Sequence, residues 1–274
     1  MKKTIALIFL AGALLVSCTP KKENTADKKC CKTDSSCCAN EHLVMGVLYS
    51  QKAAEFRALT YQAYTLAGMM LEKNLADKAI KQKRAVVLDI DETVLDNSPY
   101  EAKCAAEGIG YPEKWDDWCN LAKAKAIPGV VDFLKYADSK GVDIYYVTNR
   151  KENLKDATIK NLKETGCPQA DEKHLMLRVE ENSKEGRRQE IMKTHYIALL
   201  IGDNLADFAV AFDGKLSTEK RAQLTDSLKA EFGRRFIVLP NAMYGDWEGA
   251  IYDWDYKKSA AEKKKIRHEK LEKF

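Results

Sequence analysis

Four short stretches of this chain carry side chains that could act on a phosphate ester if the fold brought them together. Asp89-Ile90-Asp91-Glu92-Thr93 and Gly202-Asp203-Asn204-Leu205-Ala206-Asp207 each put paired carboxylates after an apolar run. Thr148-Asn149-Arg150 supplies a hydroxyl, an amide and a cation after a third run, and Lys184 follows a fourth. Carboxylates gathered in one crevice repel, by about 1 kcal/mol at about 4 Å in water and about 4 kcal/mol near a protein surface. Such a cluster needs a cation or a shared proton. Magnesium takes oxygen ligands in an octahedron and is commonly held by one or two carboxylates plus substrate phosphate, which suits Asp89 and Asp203. A single Asp-x-Asp after a strand is also explained by capping of the next helix, and Lys184 alone by a solvated surface charge. The order acid pair, Thr-Asn, Lys, acid pair is what favours a site.

The elements that must position these groups are legible as short apolar runs rich in branched residues. Ala85-Val86-Val87-Leu88, Val142-Asp143-Ile144-Tyr145-Tyr146-Val147, Leu175-Met176-Leu177, Ile197-Ala198-Leu199-Leu200-Ile201 and Phe236-Ile237-Val238-Leu239 read as buried parallel strands. Helical segments at 129–140, 151–165, 184–194 and 218–232 alternate with them, with Asn182 and Ser183 as N-cap candidates before Lys184. The pattern predicts an α/β fold with a doubly wound, mainly parallel, Rossmann-like sheet from about Arg84 to Leu239. Ligands bind beyond the carboxyl ends of such strands, where both acid pairs fall. Ahead of the sheet, Ala54, Leu59, Tyr61, Leu66, Met69, Met70 and Leu75 recur at helical intervals, so an amphipathic helix pair is expected over Ser50 to about Lys81.

Val86 to Tyr100 together with Leu199 to Phe208 resembles the two signatures of bacterial class C acid phosphatases, members of the haloacid dehalogenase superfamily that are typically outer-membrane lipoproteins. The likeness runs from about Leu43 to Trp254 and fills every position of a four-aspartate pattern. It implies the haloacid dehalogenase fold, with a small helical cap over residues 97–127 and flanking terminal helices. It implies Asp89 as nucleophile, Asp91 as general acid and base, Thr148 and Asn149 as phosphate binders and Lys184 as charge neutraliser. Mg²⁺ would lie among Asp89, Asp91, Asp203 and Asp207. The substrate would be a small phosphomonoester, nucleoside 5′-monophosphates included, hydrolysed through an aspartyl phosphate. Thr93 is expected to lock the loop of the first motif. Tyr100 in the cap and Tyr244 near the carboxyl end are the candidates for stacking on a flat leaving group, against the plainer reading that such aromatics pack cap on core. A phosphotransferase using the same intermediate and a non-catalytic ligand-binding lipoprotein are the alternatives. Intact Asp89 and Asp91 argue against the second.

At the amino end, Lys2 and Lys3 precede an apolar run from Ile5 to Val16, the length of a signal-peptide core and too short to span a bilayer. Leu15-Val16-Ser17-Cys18 resembles a lipobox, so residues 1–17 read as a signal peptide and Cys18 as the lipidated mature terminus. Thr19 in place of an inner-membrane retention aspartate favours the outer membrane, facing the periplasm. Residues 18–41 read as a flexible tether holding Cys30, Cys31, Cys37 and Cys38, whose spacing fits no zinc motif and suits disulfides or no defined role ahead of a soft-metal or redox function. Cys104 and Cys119 could pair, and Cys167 looks solitary. The body spans residues 42–256. Residues 257–274, with eight Lys or Arg against three Glu, read as a solvated basic helix rather than a binder of nucleic acid polymers. His42, His174, His195 and His268 show no ligand spacing, and a homodimer is left open.

Overall fold

A computed structural model describes residues 40–274; the signal segment, Cys18 and the tether cysteines Cys30, Cys31, Cys37 and Cys38 lie outside the described residues. Two helices come first, α1 (Leu43–Lys52) and α2 (Ala54–Ala76), separated by the extended Ala53. The pair therefore begins before the expected Ser50. Helix α2 buries Phe56, Thr60, Ala63, Tyr64, Ala67 and Leu71, a stripe at three- and four-residue intervals that lies on the sheet.

The first strand, β1 (Lys83–Leu88), is central. The chain then forms β2 (Leu95–Asp96), α3 (Ser98–Glu107), α4 (Trp115–Leu121), β3 (Lys125–Ala126) and α5 (Val130–Ser139). It continues through β4 (Asp143–Lys151), α6 (Lys155–Glu164), β5 (Leu175–Arg178), α7 (Glu185–Met192) and β6 (His195–Gly202). It ends with α8 (Thr218–Ser227), β7 (Phe236–Val238), α9 (Asp246–Ile251) and α10 (Ala260–Lys270). The main sheet has five strands in the order β5-β4-β1-β6-β7, every pair parallel. Its strands are buried on both faces, as the apolar runs require. Val86, Leu88, Ile144 and Tyr146 join one core with α2 and α5, while Ala85, Val87, Tyr145 and Val147 join the other with Ile191 of α7 and Phe208.

Two boundaries and one register shift add to the sequence reading. Strand β4 runs on through Thr148, Asn149 and Arg150, because Lys151 still pairs with Arg178 of β5. Helix α8 stops at Ser227, and turns replace its expected last residues. A bulge falls where Ala85 faces Ile197 but Val86 faces Leu199, so one extra residue of β6 lies between. The resulting register sets Leu88 beside Ile201 and brings the two acid motifs to the same sheet edge.

The insertion between β1 and α5 forms the expected cap. Strands β2 and β3 pair antiparallel at its base, Leu95 with Ala126 and Asp96 with Lys125. Above them Tyr100, Cys104, Trp115 and Cys119 pack into a small core with Leu154. Cys104, Cys119 and Cys167 are all buried free thiols, so the Cys104–Cys119 pairing that the sequence left open is not formed. The two cap cysteines serve as small apolar side chains, and burial pushes the Cys119 thiol up to about 12. Among the described residues no helix is long and apolar enough to cross a membrane.

Candidate active site

The chain leaves β1 at Asp89, whose N–H still donates to the Ile201 carbonyl at 3.0 Å and so fixes the aspartate beside β6. The next residues turn sharply. The Ile90 carbonyl accepts from the N–H groups of Thr93, Val94 and Leu95, and Glu92 takes a left-handed φ of 58°. Thr93 closes the loop as expected: its hydroxyl donates to Asp203 Oδ1 at 3.3 Å, and its carbonyl accepts from the buried Tyr64 hydroxyl at 2.6 Å.

On β6, Gly202 is required by a close approach, since a Cβ there would lie 2.3 Å from Asp207 Oδ2. Asp207 folds back over the strand end, held by the Asn204 N–H to its Oδ2 at 3.0 Å. Asp203 is steadied by Asn241, which donates to its Oδ2 at 2.9 Å from the loop after β7. Lys184 itself takes the N-cap position of α7, in place of the expected Asn182 or Ser183, and the Ser183 hydroxyl accepts from the Glu185 N–H at 3.1 Å in a local turn. The Lys184 ammonium donates to Asp89 Oδ1 and, at 2.6 Å, to Asp207 Oδ1.

Asp89, Asp203 and Asp207 thus converge, each offering a carboxylate oxygen within 4.8 Å of the others. Burial drives the Asp89 carboxyl well above the ordinary range; Lys184 opposes the shift, while Asp207, Asp203 and Asp91 add to it. Asp203 is pushed up to about 7 by burial and then by Asp207, against the Asn241 hydrogen bond. Lys184 is itself held charged, because Asp207 and Asp89 outweigh its burial. Three acids against one lysine is the charge balance of a site for a hard divalent cation, and oxygen-only donors fit magnesium.

The fourth aspartate stands apart from this trio. The Asp91 carboxylate faces Arg150 and Asn97, with Arg150 Nη2 donating at 2.7 Å and Asn97 Nδ2 at 2.8 Å. Thr148 is fully buried, and its hydroxyl accepts from the Arg150 N–H at 3.1 Å. Asn149 is exposed at the cavity, and its amide bonds Arg187 and the Asn182 carbonyl, tying β4 to the segment before Lys184.

These groups open into a cavity of about 940 Å³ roofed by the cap. Tyr100 lies in its wall at 2% exposure, its ring 5.0 Å edge-on to Trp115 and its hydroxyl donating to the Glu113 carbonyl. Tyr111, packed edge-on to Trp115 and 61% exposed, is the more open cap aromatic. Tyr244 is half-buried, lines the cavity and donates its hydroxyl to Glu92 Oε2. His42 also lines the cavity, 3.5 Å from Glu248, a position its spacing did not announce. His195 pairs with Asp143 at the opposite end of the sheet. Sequence reasoning missed Asn97 and Asn241; an Asn in the Pro240-Asn241 turn after the last strand was the available signal for the second.

Comparison with known proteins bears on what this arrangement does. The family described as HAD superfamily, subfamily IIIB (Acid phosphatase) matches residues 10–247. The class C acid phosphatase of Bacillus anthracis has a similar structure, with a TM-score of 0.82 and 52% identity over 86% of this chain and 99% of that one. The same enzyme with tungstate bound gives 0.81 and 51% over 86% and 98%. A stem 31 kDa glycoprotein of Glycine max is 25% identical over 207 residues, 71% of this chain and 67% of its own length. The chain is thus a phosphate-ester hydrolase, and it belongs to the subfamily IIIB acid phosphatases of the HAD superfamily.

Proposed function

We propose that the chain is a magnesium-dependent hydrolase of small phosphomonoesters, nucleoside 5′-monophosphates among them, working through an aspartyl phosphate on Asp89. The observation that carries this reading is the convergence of the buried Asp89 and Asp207 with the half-buried Asp203 at the floor of a roofed cavity, with Lys184 donating to two of them. Asp89 and Asp203 would hold Mg²⁺ with Asp207 in support, and the ion would neutralise phosphoryl oxygens so that a carboxylate can approach a dianion. Asp89 is tied to the sheet by its own N–H, so its free oxygen is presented at the strand end. The Lys184 ammonium has three donors and spends two on carboxylates, which leaves one for a phosphoryl oxygen. Charge on the equatorial oxygens of a loose transition state is met by that N–H together with Asn149 at the cavity edge. Thr148 would act from behind, by fixing the backbone of Arg150.

Tyr244 and the cap aromatics are the surfaces on which a flat leaving group would stack. Lipid attachment at Cys18, a location on the outer membrane facing the periplasm, and any homodimer belong to this proposal on sequence grounds alone.

The test is release of inorganic phosphate from nucleotides, sugar phosphates and aryl phosphates. Chelation should silence it, Mg²⁺ should restore it, and folded Asp89→Asn protein should show none. Turnover in chelator, or by folded Asp89→Asn protein, would defeat the proposal.

A further inference from the structure

Two buried polar residues beside the site have no part in the chemistry above. Asn97 is fully buried and Arg150 is 2% exposed. Arg150 donates to Asp91 Oδ1 from Nε at 3.0 Å and from Nη2 at 2.7 Å, and Asn97 Nδ2 donates to the same oxygen at 2.8 Å. Three N–H groups crowd the two lone pairs of Oδ1. Oδ2 is left with a single long contact, 3.3 Å from Arg150 Nε.

Both donors are themselves held in place. Arg150 Nη1 donates to Thr158 of α6 at 3.2 Å, and its guanidinium lies 5.5 Å from the centre of the Trp115 ring. Asn97 sits between β2 and α3, at the point where the chain enters the cap. Its backbone N–H donates to Glu92 Oε1 at 2.7 Å, and its side-chain oxygen accepts from Trp118 Nε1 at 2.8 Å. Trp115 and Trp118 both belong to α4. The orientation of Asp91 is therefore set jointly by the sheet, the cap entry and the second cap helix.

We propose that Asn97 and Arg150 are positioning residues that pin Asp91 by Oδ1 and reserve Oδ2 for the proton, so that protonation of the leaving group depends on a seated cap. This rests on the reading of Asp91 as general acid and base. In the first displacement the bond from phosphorus to the leaving oxygen breaks as the Asp89 bond forms, and the proton on Asp91 Oδ2 passes to that oxygen. In the second, water attacks phosphorus, its proton goes to Oδ2, and the Asp89 carboxylate departs.

The experiment compares kcat/KM, which reports events up to leaving-group departure, for glycerol 2-phosphate and 4-nitrophenyl phosphate. An alkoxide needs the proton; a nitrophenolate leaves without it. Asp91→Asn should lose about 10²–10⁴-fold on the alkyl ester and far less on the aryl ester. Asn97→Ala and Arg150→Met should discriminate in the same direction by about 10-fold or more, Trp118→Phe by less, with Arg150→Lys recovering part of the loss. Asn97→Ala and Trp118→Phe remove only neutral groups, so they keep the test alive if Arg150→Met does not fold. Equal losses on both esters in these variants, with Asp91→Asn still discriminating, would overturn the clamp. No discrimination in Asp91→Asn itself would overturn the acid and base reading, and the clamp with it.

Discussion

Replacing Lys184 with Met should leave a folded but strained protein whose stability depends on what else neutralises the acids. The Lys184 side chain is 9% exposed, and among the described residues it is the one cation in ion-pair contact with Asp89 and Asp207. Methionine keeps much of the stem and removes the charge, stranding Asp89, Asp203 and Asp207 together. Breaking a buried pair by removing one partner costs about 3–5 kcal/mol. A domain of this size moves its Tm by about 2–4 °C per kcal/mol, so in chelator at pH 8 the variant should melt roughly 6–20 °C below the parent. Three changes should each return part of that loss. Mg²⁺ supplies another cation; lowering the pH to 5 lets Asp89 and Asp203, both held above the ordinary range, take up protons; and a second substitution, Asp207→Asn, removes one of the charges. The double variant should regain stability without regaining turnover, because the N–H offered to phosphate is still missing. Calorimetric melts in chelator and in Mg²⁺ at the two pH values provide the measurement. A Lys184→Met protein that melts with the parent in chelator at pH 8, or that gains nothing from Asp207→Asn, would refute the reasoning.

The remaining predictions concern pH and the leaving group. Asp203 is raised to about 7 by burial and Asp207, and Glu101 to about 7 by burial and Glu248. Acids whose folded pKa lies above the unfolded value stabilise the fold below the unfolded pKa, and that contribution is lost as pH rises through the folded one. The chelated protein should therefore lose Tm between pH 5 and 8 and Mg²⁺ should flatten the decline, whereas a rise in chelator across that window would contradict the assignment. Truncating Tyr244 to Ala should cost nucleoside monophosphates about 1–3 kcal/mol in kcat/KM and barely touch a small aliphatic phosphate. Tyr244→Phe, which keeps the ring and releases Glu92, separates stacking from that hydroxyl contact; equal losses on both substrates would assign Tyr244 to packing.

The strand ends were legible because both faces of the sheet are buried, so each strand is an unbroken apolar run and an acid after it stands out. Glycine before Asp203 and threonine after Asp91 were visible for the same reason. Helix α1 was not legible, since Met45 and Leu48 are exposed and blur its stripe. The partner of Asp91 was hidden for a different reason. Arg150 is 59 residues away, and only the parallel pairing of β1 with β4 turns that separation into contact. Arg150 therefore read only as a cation at the sheet edge, although its guanidinium is spent on Asp91. The cysteines of the cap show the converse error, where two thiols in one segment suggest a bridge that their shared apolar pocket does not need.

The two rungs of β2 and β3 have a consequence for how this enzyme can change. Entry to and exit from the cap are neighbours in a ladder, Leu95 beside Ala126, so the chain passes into and out of the insertion through one closed doorway. A segment of different length or sequence could be grafted there without moving any strand of the core, because closing a loop costs little more as it lengthens. The leaving group could thus be exchanged over generations while the carboxylates stay where they are. The graft must begin after Asn97, however, and must bring its own donor for the Asn97 oxygen and its own ring over Arg150. A transplanted cap that ignored those two contacts would be expected to fold onto the doorway and yet leave Asp91 loosely held.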